Sequence, residues 1–252
     1  MYAICNLSIV PLRAETSDSS EMVTQVLFGE VFEILNKTEK WSFIRLLNDQ
    51  YEGWIDNKQY KEISKDQFES LKNSNKVFNA DLIEYITNSK NLLTIPLGSE
   101  LTFLSHNDIN SDQFNFEGKA TTGIQPRTNL LKTAFMYLNA PYLWGGKTPF
   151  GIDCSGFTQM VYRLNGYMIP RDASQQAKIG EPLSFIEESE VGDLAFFDNE
   201  EGNITHVGII MEDNYIIHAH GKVRIDRLDH LGILNIDNGR HTHKLRVIKK
   251  II

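Results

Sequence analysis

A thiol that serves as a nucleophile needs a base within hydrogen-bond reach, and the base needs a third group to fix its tautomer. Three residues of this chain meet those requirements. Cys154 lies in Gly151-Ile-Asp-Cys-Ser-Gly-Phe157, at the opening of an amphipathic run, where the backbone N–H groups and dipole of a helix N-terminus favour a thiolate. His206 begins the apolar run His206-Val-Gly-Ile-Ile-Met211, and His218 ends Tyr215-Ile-Ile-His218. A polar turn, Glu212-Asp-Asn-Tyr215, separates the two histidines, so hairpin pairing brings them close on one face. The expected roles are Cys154 as nucleophile, His206 as general base and His218 as the residue that orients it.

Each of these residues alone has an ordinary structural reading, a helix-start cysteine or a half-buried strand histidine, and His220, His241 and His243 are further candidates. The combination, with the glycine-rich approach Tyr142-Leu-Trp-Gly-Gly146, favours chemistry. A zinc site needs close ligand pairs such as C-x₂-C, and neither Cys5 nor Cys154 has a neighbouring partner, so no metal is expected. Gly145-Gly146 lacks the context of a phosphate cradle, and no cofactor is expected. Cys5, among apolar neighbours, reads as a small buried hydrophobe.

The elements that must position these residues begin near Gln125. Thr128–Leu138 reads as a helix with Leu131, Ala134, Phe135 and Leu138 on its inner face, and Cys154–Leu164 as a second with Phe157, Met160, Val161 and Leu164 inward. Val191–Phe197, His206–Met211, Tyr215–His218 and Leu245–Lys249 read as strands, giving an α+β catalytic region over 125–252.

Upstream, residues 1–60 carry only short strand signals. The succession Pro11-Leu-Arg-Ala, a polar loop over Glu15–Glu21, Gln25-Val-Leu-Phe-Gly-Glu-Val31, Trp41-Ser-Phe-Ile-Arg45 and Gly53-Trp-Ile55 resembles a bacterial SH3-like domain, a small all-β barrel. Residues 61–76 read as a linking helix capped by Ser64. Residues 77–124 return to strand signals, and Leu97-Gly-Ser-Glu-Leu-Thr-Phe103 parallels Phe28-Gly-Glu-Val-Phe-Glu-Ile34, which suggests a diverged second SH3-like barrel without the Gly-Trp-Ile.

Composition limits the partners. The 252 residues carry a formal net charge of −8 and no run of five basic residues, which argues against nucleic acid and against anionic membranes. The first residues show no signal-peptide pattern, and two cysteines make no disulfide framework, so the expected setting is cytoplasmic and the expected state a monomer.

In order and spacing, Tyr142-Leu-Trp-Gly-Gly, Asp153-Cys-Ser-Gly-Phe157, Pro170-Arg-Asp-Ala-Ser-Gln-Gln176, Gly192-Asp-Leu-Ala-Phe-Phe197, Thr205-His-Val-Gly-Ile209 and Ile217-His218 closely resemble the NlpC-type papain-fold cysteine peptidases of bacterial cell-wall turnover. With the SH3-like region in front, the chain resembles their γ-D-glutamyl-L-diamino acid endopeptidase subgroup (dipeptidyl-peptidase VI). The resemblance implies a substrate: murein stem peptides with a free N-terminal L-Ala, from which L-Ala-γ-D-Glu is released. It also implies roles: Cys154, His206 and His218 catalytic, Tyr142 beside the nucleophile as an oxyanion donor, and Trp144, Asp153, Ser155, Arg171, Asp172 and Ser174 lining the substrate groove. For the free amine it points to Glu21 and to Tyr51, with Tyr60 a rival. Capping by Asp153 and Asp172, core packing of Trp144 and solvation of Glu21 are the plain structural alternatives. The competing functions are a non-catalytic wall-binding module, and an amidase or acyltransferase on the same fold.

Overall fold

Alternation of buried and half-exposed residues builds the first sheet. In Trp41–Leu46 the side chains of Ser42, Ile44 and Leu46 turn inward while Trp41, Phe43 and Arg45 turn out. The computed structural model describes residues 1–252, and the chain divides into two units, Met1–Ile124 and Gln125–Ile252.

In the first unit, β1 (Tyr2–Ile4), β2 (Ile9–Arg13), β3 (Met22–Leu27), β4 (Val31–Lys37), β5 (Trp41–Leu46), β6 (Glu52–Asp56) and β7 (Lys61–Ile63) form one antiparallel sheet in the order β3-β2-β6-β5-β4-β1-β7. Its inward residues, among them Val10, Leu12, Val26, Phe32, Ile44 and Ile55, surround Ala3 and the buried Cys5. Each such side chain contributes about 1.5–3 kcal/mol by leaving water. The sheet extends past residue 60. Lys61–Ile63, expected in the linking helix, instead pairs with β1.

Helix α1 (Lys65–Lys72) follows, with Ser64 at its N-cap. The Ser64 hydroxyl accepts from the Gln67 N–H (3.2 Å) and the Gln67 side chain accepts from the Ser64 N–H (2.9 Å), satisfying two otherwise orphaned donors.

Residues 77–122, where a second barrel is expected, form two small sheets. β8 (Val77–Asn79), β9 (Ile83–Thr87), β10 (Leu92–Pro96), β11 (Asn115–Phe116) and β12 (Ala120–Thr122) split into a three-stranded sheet, β10-β9-β11, and the separate pair β12-β8. Their apolar residues Ile86, Ile95, Leu101, Phe103 and Ile109 share a core with Ile4, Phe28 and Val31 of the first sheet and Phe68 and Leu71 of α1. The strands are too short to enclose a core alone, so they bury their faces against their neighbours.

The sequence parallel survives at one turn. Gly29 (φ 81°) and Gly98 (φ 84°) are both left-handed, and their N–H groups donate to the Cys5 and Asn79 carbonyls (2.8 and 2.9 Å). The Glu100 N–H then donates to the Phe28 carbonyl (2.8 Å), so the two turns touch. After Glu100 the copy diverges, because Thr102–Ser105 is a 3₁₀ turn where the first copy has β4.

In the second unit, α2 (Asn129–Met136), the small pair β13 (Lys147–Thr148) and β14 (Gly151–Ile152), α3 (Cys154–Leu164) and α4 (Ala173–Gln176) precede the strands. These are β15 (Glu181–Leu183), β16 (Leu194–Asp198), β17 (Ile204–Ile210), β18 (Tyr215–His220), β19 (Lys222–Leu228), β20 (Gly232–Asn235) and β21 (Arg240–Lys250). The order β15-β21-β16-β17-β18-β19-β20, with β20 also paired to β21, closes six strands on themselves. Only four strands were expected. β15 and β20 are short, and β19 alternates charged residues with apolar ones, which reads as a polar connection.

The helix faces also differ from expectation. α2 buries Leu130, Ala134 and Tyr137 and exposes Phe135 and Leu138. Both sets fit a helical stripe, and packing chose the one facing α3. Every residue of α3 is buried, so it is a central helix. No helix of the chain is long and apolar enough to cross a membrane.

Gly29 gives the fold its sharpest test, because a Cβ there would collide with the Glu100 carbonyl and the residue is already left-handed. Gly29→Ala is expected to destabilise the first unit by about 2 kcal/mol or more, read by denaturant unfolding; an unchanged midpoint would refute this reading of the turn.

Candidate active site

Asp153 starts the site. It is extended (φ −92°, ψ 176°) and caps α3, its Oδ1 accepting from the Gly156 N–H at 2.6 Å. The buried carboxylate also takes the Gly145 N–H (2.8 Å) on Oδ2 and both guanidinium nitrogens of buried Arg171 (2.9 and 2.6 Å). Ser155 Oγ accepts from Arg171 Nη1 at 2.9 Å. Asp153, Ser155 and Arg171, three of the expected groove residues, therefore form one bidentate network beneath the nucleophile. The approaching loop lies so close that a Cβ at Gly156 would collide with the Gly146 carbonyl, which is why glycines stand here.

Cys154 occupies the first position of α3 and is buried. Burial, then the Asp153 charge, pushes its thiol up to about 12, against the opposing pull of Arg171 and of hydrogen bonds from the Val207 and Ser155 amides. Burial thus disfavours the thiolate, and a base that takes the proton during attack is what the site has to supply. The Val207 amide that reaches the sulfur immediately follows His206.

His206 and His218 come together as expected. β17 and β18 pair with Gly208 opposite His218, and a Cβ at Gly208 would stand 2.9 Å from the His218 Cβ. The missing side chain lets His218 sit against the strand and reach diagonally, so that His206 Nε2 and His218 Nδ1 lie 2.8 Å apart.

Beyond them stand two residues that the sequence did not reveal. His218 Nε2 lies 3.0 Å from Asp226 Oδ2, and Asp226 is clasped by Arg224 (Nε 2.7 Å, Nη2 2.9 Å) and by the Ile236 N–H (3.0 Å). Burial alone would raise the Asp226 carboxyl, but the hydrogen bonds from His218, Arg224 and Ile236 hold it down at about 2. Their only trace in the sequence is the spacing Arg224-x-Asp226 in a strand too charged to read as one.

Asp226 decides the tautomers. An ionised carboxylate only accepts, so His218 Nε2 carries the proton and donates to it. His218 Nδ1 is then an acceptor, His206 Nε2 must donate to it, and His206 Nδ1 is left with a lone pair, the state a general base requires. Burial, followed by the neighbouring His218, His243 and His220, holds the His206 imidazolium well below the ordinary range, and burial lowers His218 as well. His206 is thereby held in the neutral form that can take up a proton.

Tyr142 is partly exposed, and its phenol is pushed up to about 12 by burial and then by the nearby Cys154 and Asp153. It therefore stays protonated and able to donate. Trp144 is 62% exposed, which excludes core packing for it. Asp172 opens α4, where Gln175 reaches back to its N–H (3.4 Å), and Ser174 is exposed on that helix. The buried Gln176, also unanticipated, ties α4 to α3. Its amide donates to the Ser155 carbonyl (3.0 Å) and accepts from Thr158 Oγ1 (2.7 Å). In the first unit Glu21 is exposed before β3, while Tyr51 and Tyr60 are half-buried against the first core. The Tyr60 hydroxyl lies 2.8 Å from Ser42 Oγ.

Residues 139–240 match the NlpC/P60 family, and residues 12–59 match the bacterial dipeptidyl-peptidase SH3 domain. The chain is 43% identical over 93 residues to the γ-D-glutamyl-L-lysine dipeptidyl-peptidase of Bacillus subtilis (strain 168), a match covering 36% of this chain and 31% of that protein. It thus spans less than a third of that relative's length. The dipeptidyl-peptidase 6 of Lysinibacillus sphaericus is 27% identical over 266 residues, 91% of this chain and 92% of that one. A crystal structure of an NlpC/P60 family protein from Bacillus cereus ATCC 10987 shares the fold, with a TM-score of 0.81 at 20% identity over 100% of this chain and 99% of the other.

Two measurements test the site. Asp226→Asn presents an amide N–H to His218, which reverses both tautomers and leaves His206 Nδ1 protonated; kcat is expected to fall on the order of 100-fold with KM little changed, and an unaltered kcat would exclude the relay. Alkylation of Cys154 by iodoacetamide at neutral pH should depend on His206. In His206→Ala the rate is expected to climb about tenfold per pH unit towards the raised thiol pKa, because only free thiolate then reacts; a pH-independent rate in that variant would contradict the raised pKa.

Proposed function

We propose, from the NlpC/P60 domain and the bacterial dipeptidyl-peptidase SH3 domain that this chain carries, that it is a cysteine peptidase of cell-wall turnover or recycling. It hydrolyses the bond between γ-D-Glu and the diamino acid in murein stem peptides whose N-terminal L-Ala is free, and releases L-Ala-γ-D-Glu. One observation carries the reading. A buried Cys154 at a capped helix start has its base prepared by the sequence of contacts His206, His218, Asp226 and Arg224. The names of the relatives point to the same bond.

In the first step Cys154 Sγ bonds to the γ-carbonyl carbon of D-Glu as its proton passes to His206 Nδ1. The carbonyl oxygen becomes an oxyanion, which the Cys154 backbone N–H and the Tyr142 hydroxyl receive. Donors aimed at developing charge in this way contribute about 3–4 kcal/mol each to lowering a barrier. The imidazolium is stabilised through His218 by the Asp226 carboxylate. His206 then gives its proton to the α-nitrogen of the diamino acid, the C–N bond breaks, and a thioester remains. Water attacks the thioester with His206 again taking a proton, the C–S bond breaks, and the thiol and the free γ-carboxylate of D-Glu are restored.

The exposed Trp144 and the start of α4 with Asp172 and Ser174 give the groove its contact groups, and the buried Asp153, Ser155 and Arg171 network forms its floor. For the free amine, Glu21 and Tyr51 are assigned as the selecting residues. A carboxylate favours a free terminal ammonium, which brings it an opposite charge, over an acylated terminus, which brings none.

Mass spectrometry of the products from L-Ala-γ-D-Glu-diamino acid tripeptide, compared with intact muropeptide, tests bond and end group together. The expected outcome is L-Ala-γ-D-Glu from the tripeptide alone, with no product from Cys154→Ala; cleavage by that variant, or at another bond, would sink the proposal. In the same assay Glu21→Gln should weaken turnover of the free-amine peptide much more than that of an N-acylated analogue, and equal losses would remove Glu21 from amine selection.

A further inference from the structure

We propose that His243 is a positioning residue whose ring covers the hydrogen bond between His206 and His218 and keeps it from water, so that His206 stays oriented toward Cys154. The inference rests on the reading of His206 as the base.

The geometry is specific. The His243 and His206 rings stack with centroids 4.1 Å apart and planes 25° apart, while His243 stands edge-on to His218 at 5.9 Å. One ring therefore contacts both partners of the 2.8 Å hydrogen bond. Phe197 adds an apolar neighbour at 5.8 Å from His206 and 6.0 Å from His243, and His220 closes on His243 at 4.8 Å. His243 is itself held, its Nδ1 lying 2.8 Å from Thr242 Oγ1.

The strand that presents it is irregular at this place. Along β20 and β21 the pairing runs from Ile233 with His243 to Leu234 with His241, so Thr242 is an extra residue. Along β16 and β21 it runs from Phe196 with Val247 to Phe197 with Leu245, so Arg246 is another. Bulges re-aim the side chains beside them, and these two bracket His243.

A cover made of imidazole must remain uncharged while His206 carries a proton. The titratable groups facing His243 are His206 from β17, His218 and His220 from β18, and Asp226 from β19; on its own strand Thr242 is neutral. Burial first, then His218 and His220, hold its imidazolium down at about 4, against the opposing pull of Asp226. At neutral pH the ring is therefore neutral, and its face can accept the positive charge that forms on His206. As pH falls through about 4 it becomes a cation stacked on the base.

The test uses the full chain with His243→Ala, which removes the ring, and His243→Phe, which keeps a ring that cannot titrate. Rates are read against pH both for tripeptide cleavage and for Cys154 alkylation by iodoacetamide. With His243→Ala the rate at neutral pH is expected to fall about tenfold or more in kcat, with KM within about twofold. Water then reaches His206 and relieves its burial, so its pKa rises and the acid limb of both profiles moves up by about one pH unit. His243→Phe should restore most of the rate and leave the limb within a few tenths of a unit of wild type. Equal losses in the two variants, or an unmoved acid limb in His243→Ala, would overturn the proposal. If His243→Ala does not fold, His243→Gln takes its place with the same readouts. Failure of wild type to cleave the tripeptide would count against the peptidase reading alone, since the alkylation profiles still decide the role of His243.

Discussion

The second unit depends on one carboxylate that its hydrogen bonds hold in the ionised form. Asp226 is buried, yet two guanidinium nitrogens, an imidazole and a backbone N–H converge on its two oxygens. Because it only accepts, each proton along His218 and His206 has one permitted place, and the lone pair that remains at the far end is His206 Nδ1. The strands exist in this order to hold those contacts. β17 supplies the base, β18 the middle ring, β19 the carboxylate and β21 the cover, and closure through β20 and β21 keeps the four at a fixed spacing.

A second buried charge performs a different task. Asp153 is used entirely within the protein, for the cap of α3, the Gly145 amide and the Arg171 fork. Such a pair adds little net stability over an apolar replacement, but the loss of one partner strands the other, so its value is in fixing geometry. It fixes the direction of the α3 N-terminus, and hence the place where an oxyanion would meet the Cys154 amide. Capping and groove formation are thus one arrangement seen from two sides.

Much of this was readable in the residues. Cys154 at a helix start, the two histidines across a hairpin, the cap at Ser64 and the helix over Cys154–Leu164 all follow from local pattern, which short-range physics controls. The features that escaped are those set by tertiary packing. The inner stripe of α2 was ambiguous between two helical faces, and α3 proved buried all round. β19 was masked by its charges, although one of those charges, Asp226, directs the site. The sequence parallel behind a second barrel is matched at its glycine turn, while the following residues form a 3₁₀ helix and share the core of their neighbours. Burial of the sulfur belongs with these: a helix end can be seen in sequence, whereas the water it loses cannot.

The protonated sulfur has a consequence for how long the protein lasts. Peroxide and related oxidants react with thiolate rather than thiol, and they need access to it. A buried sulfur whose thiolate is disfavoured by desolvation offers little of either. The burial that delays attack therefore also protects the idle site from progressing to sulfenic and sulfinic acid, and oxidative damage should track turnover rather than age.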